Sequence, residues 1–249
     1  MKYGLCNLSL IPVRREASDT SEMVTQLLYG EFFKIIESKK NWSKIRNAFD
    51  DYEGWIDNKQ YLEISSEIYH QLSAEEPIVT SDFMEFVTDD SGVLISIPIG
   101  SNLNALKFLK HKHDGNSQQG KLPKEKLIDT ALMFINSPYL WGGKSPFGID
   151  CSGFTQLVYK INGYRIFRDA KDQATQGETL SFIEESEPGD LAFFDNNEGI
   201  ITHVGIIMAN NYIIHAHGKV RIDNLDHSGI FNLDYKRHSH KLRVIKRIV

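Results

Sequence analysis

One cysteine and a group of histidines carry the reactive potential of this chain. Cys151 sits between Asp150 and Ser152-Gly153, where a loop holding Gly142, Gly143, Pro146 and Gly148 gives way to a periodic apolar pattern. Phe154, Leu157, Val158 and Ile161 fall at i, i+3, i+4 and i+7, the spacing of one buried helix face. That pattern predicts a helix with Asp150 as N-cap and Cys151 in its first turn. A thiol placed there feels the positive end of the helix dipole and several unpaired N–H groups. Such surroundings, above all beside a histidine, bring a thiol from a pKa of ~8.5 into roughly the 3.5–7.5 range. A lone cysteine is commonly a small buried hydrophobe. Cys151 heads its helix instead of lying in the apolar stripe, and this favours a nucleophile.

A cysteine nucleophile needs a base within hydrogen-bond reach and a third group to orient that base. Six of the nine histidines follow residue 200. His203 interrupts an apolar strand pattern, with Thr202, Val204 and Ile206 on the opposite face. After a turn at Ala209-Asn210-Asn211, His215 and His217 share one face of the returning strand, both within cross-strand or diagonal range of His203. Hairpin geometry does not choose between them. Three His-x-His pairs, at 111/113, 215/217 and 238/240, raise the possibility of metal binding. The first and last lie in polar segments expected to be exposed, without ligand-like partners. Neither a metal nor a cofactor is expected.

The elements that must hold these groups fall into a β-rich half followed by an α+β half. Residues 1–62 show five candidate strands, Tyr3–Leu10, Gln26–Leu28, Phe32–Glu37, Trp42–Arg46 and Trp55–Ile56, separated by turn signals. So many short strands in one small stretch predict a small barrel, with Trp42 and Trp55 packed in its core and rim. A polar connector follows, helical around Ser65–Leu72. Phe83–Thr88 and Val93–Ile97 then form a second β segment, and residues 77–112 are expected to be a second, diverged barrel unit. His111–Gly120 reads as an exposed linker. Beyond it a helix is predicted over Pro123–Ile135, with Ile128, Ala131, Leu132 and Ile135 on its buried face. Arg168–Gln176 reads as a loop and short turn. Strands follow at Leu191–Phe194, Ile201–Met208, Tyr212–Ala216 and Lys241–Val249.

Composition narrows the function classes. Hydrophobic content of 41% and charged content of 24% over 249 residues describe an ordinary globular chain. The net charge is −5, and residues 122–249 carry equal numbers of cations and anions. No basic face is implied, so no nucleic-acid partner is expected. Cys6 and Cys151 make no disulfide framework. The N-terminus lacks the apolar core of a signal peptide, and no run approaches the roughly 18 apolar residues of a membrane helix. The chain therefore reads as cytoplasmic and membrane-free, unless an export signal has been removed, which the sequence would not reveal.

Taken together, Tyr139-x-Trp141-Gly142-Gly143, Asp150-Cys151-Ser152-Gly153-Phe154, Gly189-Asp190-Leu191-Ala192-Phe193-Phe194, His203-Val204-Gly205-Ile206 and Ile214-His215-Ala216 resemble the NlpC/p60 cysteine peptidases. The resemblance covers residues 122–249. It implies a papain-like α+β catalytic domain with Cys151 as nucleophile, His203 as base and His215 as the orienting third member. Ser21–Glu31 and Asp51-Tyr52-Glu53-Gly54-Trp55 resemble the bacterial SH3-like domain. The expected architecture is thus this domain preceded by one or two small all-β SH3-like barrels. The combination is similar to γ-D-glutamyl-L-diamino acid endopeptidases, which cut peptidoglycan stem peptides beginning with a free L-Ala. That likeness implies a peptide substrate, a monomer, and substrate contacts from Tyr52, Glu22, Tyr139, Asp150, Ser152 and Asp169. Glu16 rivals Glu22 as the amine-binding carboxylate. Ala170 stands where some relatives carry Ser, a departure from the pattern that puts in doubt one side-chain hydrogen bond to substrate implied by the resemblance.

Overall fold

The computed structural model describes residues 1–249 and divides into two compact units. The first comprises Met1–Lys121 with Trp141–Pro146, the second Leu122–Leu140 with Phe147–Val249.

In the first unit, β1 (Lys2–Leu5), β2 (Leu10–Arg14), β3 (Met23–Leu28), β4 (Phe32–Ser38), β5 (Trp42–Asn47), β6 (Glu53–Asp57) and β7 (Leu62–Ile64) form one antiparallel sheet, ordered β3-β2-β6-β5-β4-β1-β7. Alternating residues supply its core, with Ile11, Val13, Leu27, Phe33, Ile35, Ile45 and Ile56 around the buried Cys6. Trp55 is buried and Trp42 half-buried. The stretch expected as one strand, Tyr3–Leu10, is broken between β1 and β2. The latter was hidden by Pro12, a residue confined to edges and bulges of sheets.

Helix α1 (Ser66–Ala74) is capped by Ser65 and leads to β8 (Ile78–Thr80), β9 (Met84–Thr88), β10 (Leu94–Pro98) and α2 (Leu106–Leu109). The expected linker over His111–Gly120 is instead ordered: β11 (Lys112–His113) pairs with β9, and β12 (Ser117–Gln119) pairs with β8. Polar strands that borrow an existing edge carry no hydrophobic alternation, so the sequence did not mark them. Residues 77–112 fall in the same compact unit as the first sheet, and β8–β12 form two small sheets separate from it. The remaining strand of this unit, β13 (Lys144–Ser145), lies in the glycine loop. Gly142 has a φ of +74°, and an added Cβ would meet the Met23 carbonyl oxygen at 2.2 Å. Deeper in, the Lys144 ammonium pairs with Glu31 at 3.1 Å, both side chains fully enclosed.

The second unit holds α3 (Lys126–Leu132), β14 (Gly148–Ile149), α4 (Cys151–Ile161), α5 (Ala170–Gln173) and β15 (Glu178–Leu180), then six longer strands. These are β16 (Leu191–Asp195), β17 (Ile201–Ile207), β18 (Tyr212–His217), β19 (Lys219–Asp226), β20 (Gly229–Asn232) and β21 (Arg237–Arg247). The sheet runs β15-β21-β16-β17-β18-β19-β20, and β20 also pairs with β21, so the six strands close into a ring. Ala192, Phe194, Ile207, Ile213, Leu225, Ile230 and Ile245 fill part of its core.

Helix α4 packs against β17 and β18. The predicted stripe is buried, and so is every other residue of the helix. Two of its polar side chains bond within the unit: Thr155 donates to Gln173 Oε1, and Gln156 donates to the Ile166 carbonyl. The buried face of α3 differs from the expected one. Leu127, Ala131 and Phe134 point inward, with Phe134 edge-on to Phe154, whereas Leu132 and Ile135 are exposed. Two overlapping apolar stripes run along this segment, and only packing against α4 selects between them.

Candidate active site

Asp150 caps α4 by accepting from the Gly153 N–H at 2.7 Å, which fixes Cys151 in the first turn. Sequence locality explains this: an acceptor side chain precedes a helix whose first N–H groups lack partners. The same carboxylate is gripped by Arg168, Nη1 to Oδ1 at 3.0 Å and Nη2 to Oδ2 at 2.7 Å. Arg168 Nη1 also donates to Ser152 Oγ at 2.9 Å. Asp150, Ser152 and Arg168 are all buried, so the two expected substrate contacts on α4 are tied into a network that Arg168 completes.

Cys151 is 7% exposed, and the backbone N–H groups of Val204 and Ser152 reach its sulfur. Val204 directly follows His203 on β17, so the thiol lies against the strand that carries the base. The enclosure of the sulfur works against the thiolate that the helix start favours. Burial, then the nearby Asp150 charge, pushes the Cys151 thiol up to about 12, outweighing the two N–H groups and Arg168. Desolvation of an anion is a larger effect than one helix end in an enclosed position.

His203 Nε2 lies 2.8 Å from His215 Nδ1. The ladder pairs Gly205 with His215, so this contact is diagonal across the β17–β18 hairpin. Gly205 makes room for it, since an added Cβ would come within 2.9 Å of the His215 Cβ. His217 is farther off, its ring centroid 6.3 Å from that of His203. Burial first, then the neighbouring rings of His215, His240 and His217, holds the His203 imidazole well below 6.5. Burial also lowers His215, with Asp223 offsetting only part of the effect. Burial thus favours the uncharged forms of the thiol and of both imidazoles.

Two residues at the site escaped the sequence reading. His240, placed in an exposed polar segment by expectation, instead stacks on His203 with centroids 4.1 Å apart and planes 22° from parallel. Closure of the ring by β21 brings it there, and burial lowers its pKa to about 3. Asp223, on β19, lies 3.1 Å from His215 Nε2 and is fully buried. The alternation of Val220 and Ile222 was the available signal for this strand. The other expected contacts are distributed as follows. Tyr139 is half-buried, and burial together with the Cys151 and Asp150 charges raises its pKa, which puts it beside the nucleophile. Asp169 is half-buried at the N-cap of α5. Tyr52 and Glu22 belong to the first unit, where Tyr52 follows a turn at Asp51 and Glu22 accepts from Trp141 Nε1 at 2.6 Å and pairs with Arg15. Glu16 is exposed in the same unit. No group of histidine, cysteine and carboxylate side chains has metal-binding geometry, and no helix is long and apolar enough to cross a membrane.

Comparison with known proteins follows this division. Residues 136–236 match the NlpC/P60 family, and residues 13–60 match the bacterial dipeptidyl-peptidase Sh3 domain. The chain is 30% identical to a gamma-D-glutamyl-L-lysine dipeptidyl-peptidase of Bacillus subtilis over 216 residues, 77% of this chain and 71% of that one. Dipeptidyl-peptidase 6 of Lysinibacillus sphaericus is 27% identical over 83% of this chain and 85% of its own. An NlpC/P60 family protein of Bacillus cereus superposes with a TM-score of 0.78 over 99% of both chains at 19% identity, a likeness of fold.

Proposed function

Since the chain belongs to the NlpC/P60 family of cysteine peptidases, we propose that it hydrolyses the γ-D-glutamyl–diamino acid bond of peptidoglycan stem peptides that begin with a free L-Ala. The observation that carries this reading is the likeness to the B. subtilis gamma-D-glutamyl-L-lysine dipeptidyl-peptidase over 216 residues. That span is long enough to include residues of both the barrel and the catalytic domain.

The chemistry follows from the site. On substrate binding, His203 takes the Cys151 proton as sulfur attacks the γ-glutamyl carbonyl. Backbone N–H groups at the start of α4 supply the hydrogen bonds that steady the oxyanion. The proton passes to the departing diamino acid amine, leaving an L-Ala-D-Glu thioester that water hydrolyses. A neutral thiol and a neutral base suit this order of events, because charge develops only once substrate is bound. A free terminal ammonium needs carboxylates to offset its desolvation, and the sequence offers Glu22 and Asp150 for that role, with the Tyr52 hydroxyl as a further contact. The same reading has the enzyme working as a monomer in the cytoplasm, where its two free thiols, Cys6 and Cys151, would stay reduced.

Mass spectrometry of products from L-Ala-γ-D-Glu-L-Lys and its N-acetylated form tests the proposal. Cleavage to L-Ala-D-Glu and lysine is expected for the free amine, with loss of turnover on acetylation. Equal rates on both peptides would remove the free-amine requirement, and an inert unblocked peptide would remove the bond assignment.

A further inference from the structure

Behind the two histidines lies a carboxylate whose surroundings leave it one arrangement. Asp223 Oδ2 receives Arg221 Nε at 2.7 Å and faces His215 Nε2 at 3.1 Å. Its Oδ1 receives Arg221 Nη2 at 2.9 Å and the Leu233 N–H at 3.0 Å. Arg221 is itself held from outside by Asp234, Nη1 to Oδ2 at 2.7 Å. The Asp223 side chain is wholly buried, and Arg221 Nε and Nη2 form a bidentate grip on it. Burial alone would raise the Asp223 pKa, but the bonds from His215, Arg221 and Leu233 outweigh it and hold the carboxylate well below its usual range.

We propose that Asp223 is a positioning residue that sets the proton on each ring of the His215–His203 pair, leaving Nδ1 of His203 bare to accept the Cys151 proton. The logic is one of donors and acceptors. An ionised carboxylate only accepts, so His215 Nε2 must carry hydrogen. A neutral His215 then has a lone pair on Nδ1, and the 2.8 Å contact obliges His203 Nε2 to donate. A neutral His203 protonated at Nε2 has its free lone pair on Nδ1. The opposite tautomers would put a proton where the base must be empty. Neither His240, stacked on the His203 face, nor His217, 6.3 Å away by centroids, bonds either ring nitrogen of His203.

Asp223→Asn probes the relay in a directed way. Oδ1 accepts two N–H donors, Arg221 Nη2 and Leu233, so the amide oxygen stays at that position. Turning the amide over would set its NH2 against both donors, whereas the unturned amide sets it against one, Arg221 Nε. The NH2 group is thus presented to His215 Nε2, which becomes the acceptor, and both rings reverse. The same change beside the base of a Ser-His-Asp triad lowers kcat by ~10⁴ through a wrong tautomer. Relayed across one further ring, a loss on the order of 10³-fold is expected.

The expected rate loss rests on the proposed hydrolase reading; the tautomer assignment does not. Nitrogen-15 spectra of the imidazoles in the full chain at neutral pH, without substrate, should show Nε2–H with bare Nδ1 on both His203 and His215. In Asp223→Asn the two rings should show Nδ1–H, with kcat/KM on the stem peptide reduced as stated and peptide KM little changed. An Nδ1–H tautomer at His203 in the unsubstituted chain overturns the proposal, even if the variant does not fold. So does a folded Asp223→Asn protein with unchanged tautomers or undiminished kcat. Correct tautomers in a protein inert toward the peptide would instead count against the substrate assignment alone.

Discussion

Replacing Arg168 by methionine should unbalance the head of α4 in two measurable ways. The guanidinium makes two bonds to Asp150 and one to Ser152 Oγ, with 2% of the residue exposed. Methionine fills much of the same volume but leaves a buried carboxylate without its cation. Breaking a buried pair from one side destabilises by about 3–5 kcal/mol, a large part of the roughly 5–15 kcal/mol by which native domains are stable. At about 2–4 °C per kcal/mol for a chain of this size, the melting midpoint should fall by roughly 10 °C. The second effect concerns the thiol. Arg168 draws the Cys151 pKa down while Asp150 pushes it up, so the variant's thiol should alkylate more slowly with iodoacetamide at a fixed pH. Adding Asp150→Asn removes the stranded charge and should return more than half of the lost stability in urea melts, a coupling readable from a double-mutant cycle. A single variant with a midpoint within about 2 °C of the parent, or with no recovery in the double variant, would refute the claim that this ion pair organises the helix start.

Other expectations follow from burial at the hairpin. Gly205→Ala should place a methyl within 2.9 Å of the His215 Cβ and shift that ring, lowering kcat on the order of 10²-fold, as small displacements of catalytic groups do; unchanged kinetics would show that the strand yields elsewhere. Stability should depend on pH in a stated direction. His203, His215 and His240 have folded pKa values below the unfolded 6.5. Their contribution is complete above that pH and lost below it, at about 1.4 kcal/mol per pH unit for each ring. Urea midpoints that stay flat from pH 6.5 down to 5 would contradict the neutral, buried state of these histidines. Peptidase activity should in turn show no acid limb at an ordinary histidine pKa, because the base stays neutral well below 6.5; kcat/KM halved near pH 6.5 would contradict it.

Local patterns made the nucleophile legible. Asp150, Cys151 and the Phe154–Ile161 stripe define a capped helix within a dozen residues, and the structure has that helix from Cys151 to Ile161. The β17–β18 hairpin was equally local, so both histidines could be set opposite His203 before any coordinates. Which of them bonds it depended on a diagonal contact over Gly205, beyond the resolution of a two-residue alternation. What was missed came from closure. His240 and Asp223 reach the site only because β21 returns to β20 and β19 pairs with β18, contacts set by the whole sheet and not by neighbouring residues. The charge of Cys151 divides in a related way: the helix end is a local feature that favours the thiolate, whereas burial is a global one that opposes it more strongly. On α3 the same limit appears as a choice between two apolar stripes that periodicity alone leaves equivalent.

The role of Cys151 is open to one decisive measurement: turnover of L-Ala-γ-D-Glu-L-Lys by Cys151→Ala beside the unsubstituted chain, with melting curves recorded on both. A nucleophile held at the head of α4 predicts a loss of at least about 10³-fold in kcat, with the melting midpoint preserved because one sulfur atom is exchanged for hydrogen. Product formation at the parent rate by a folded Cys151→Ala protein would contradict it.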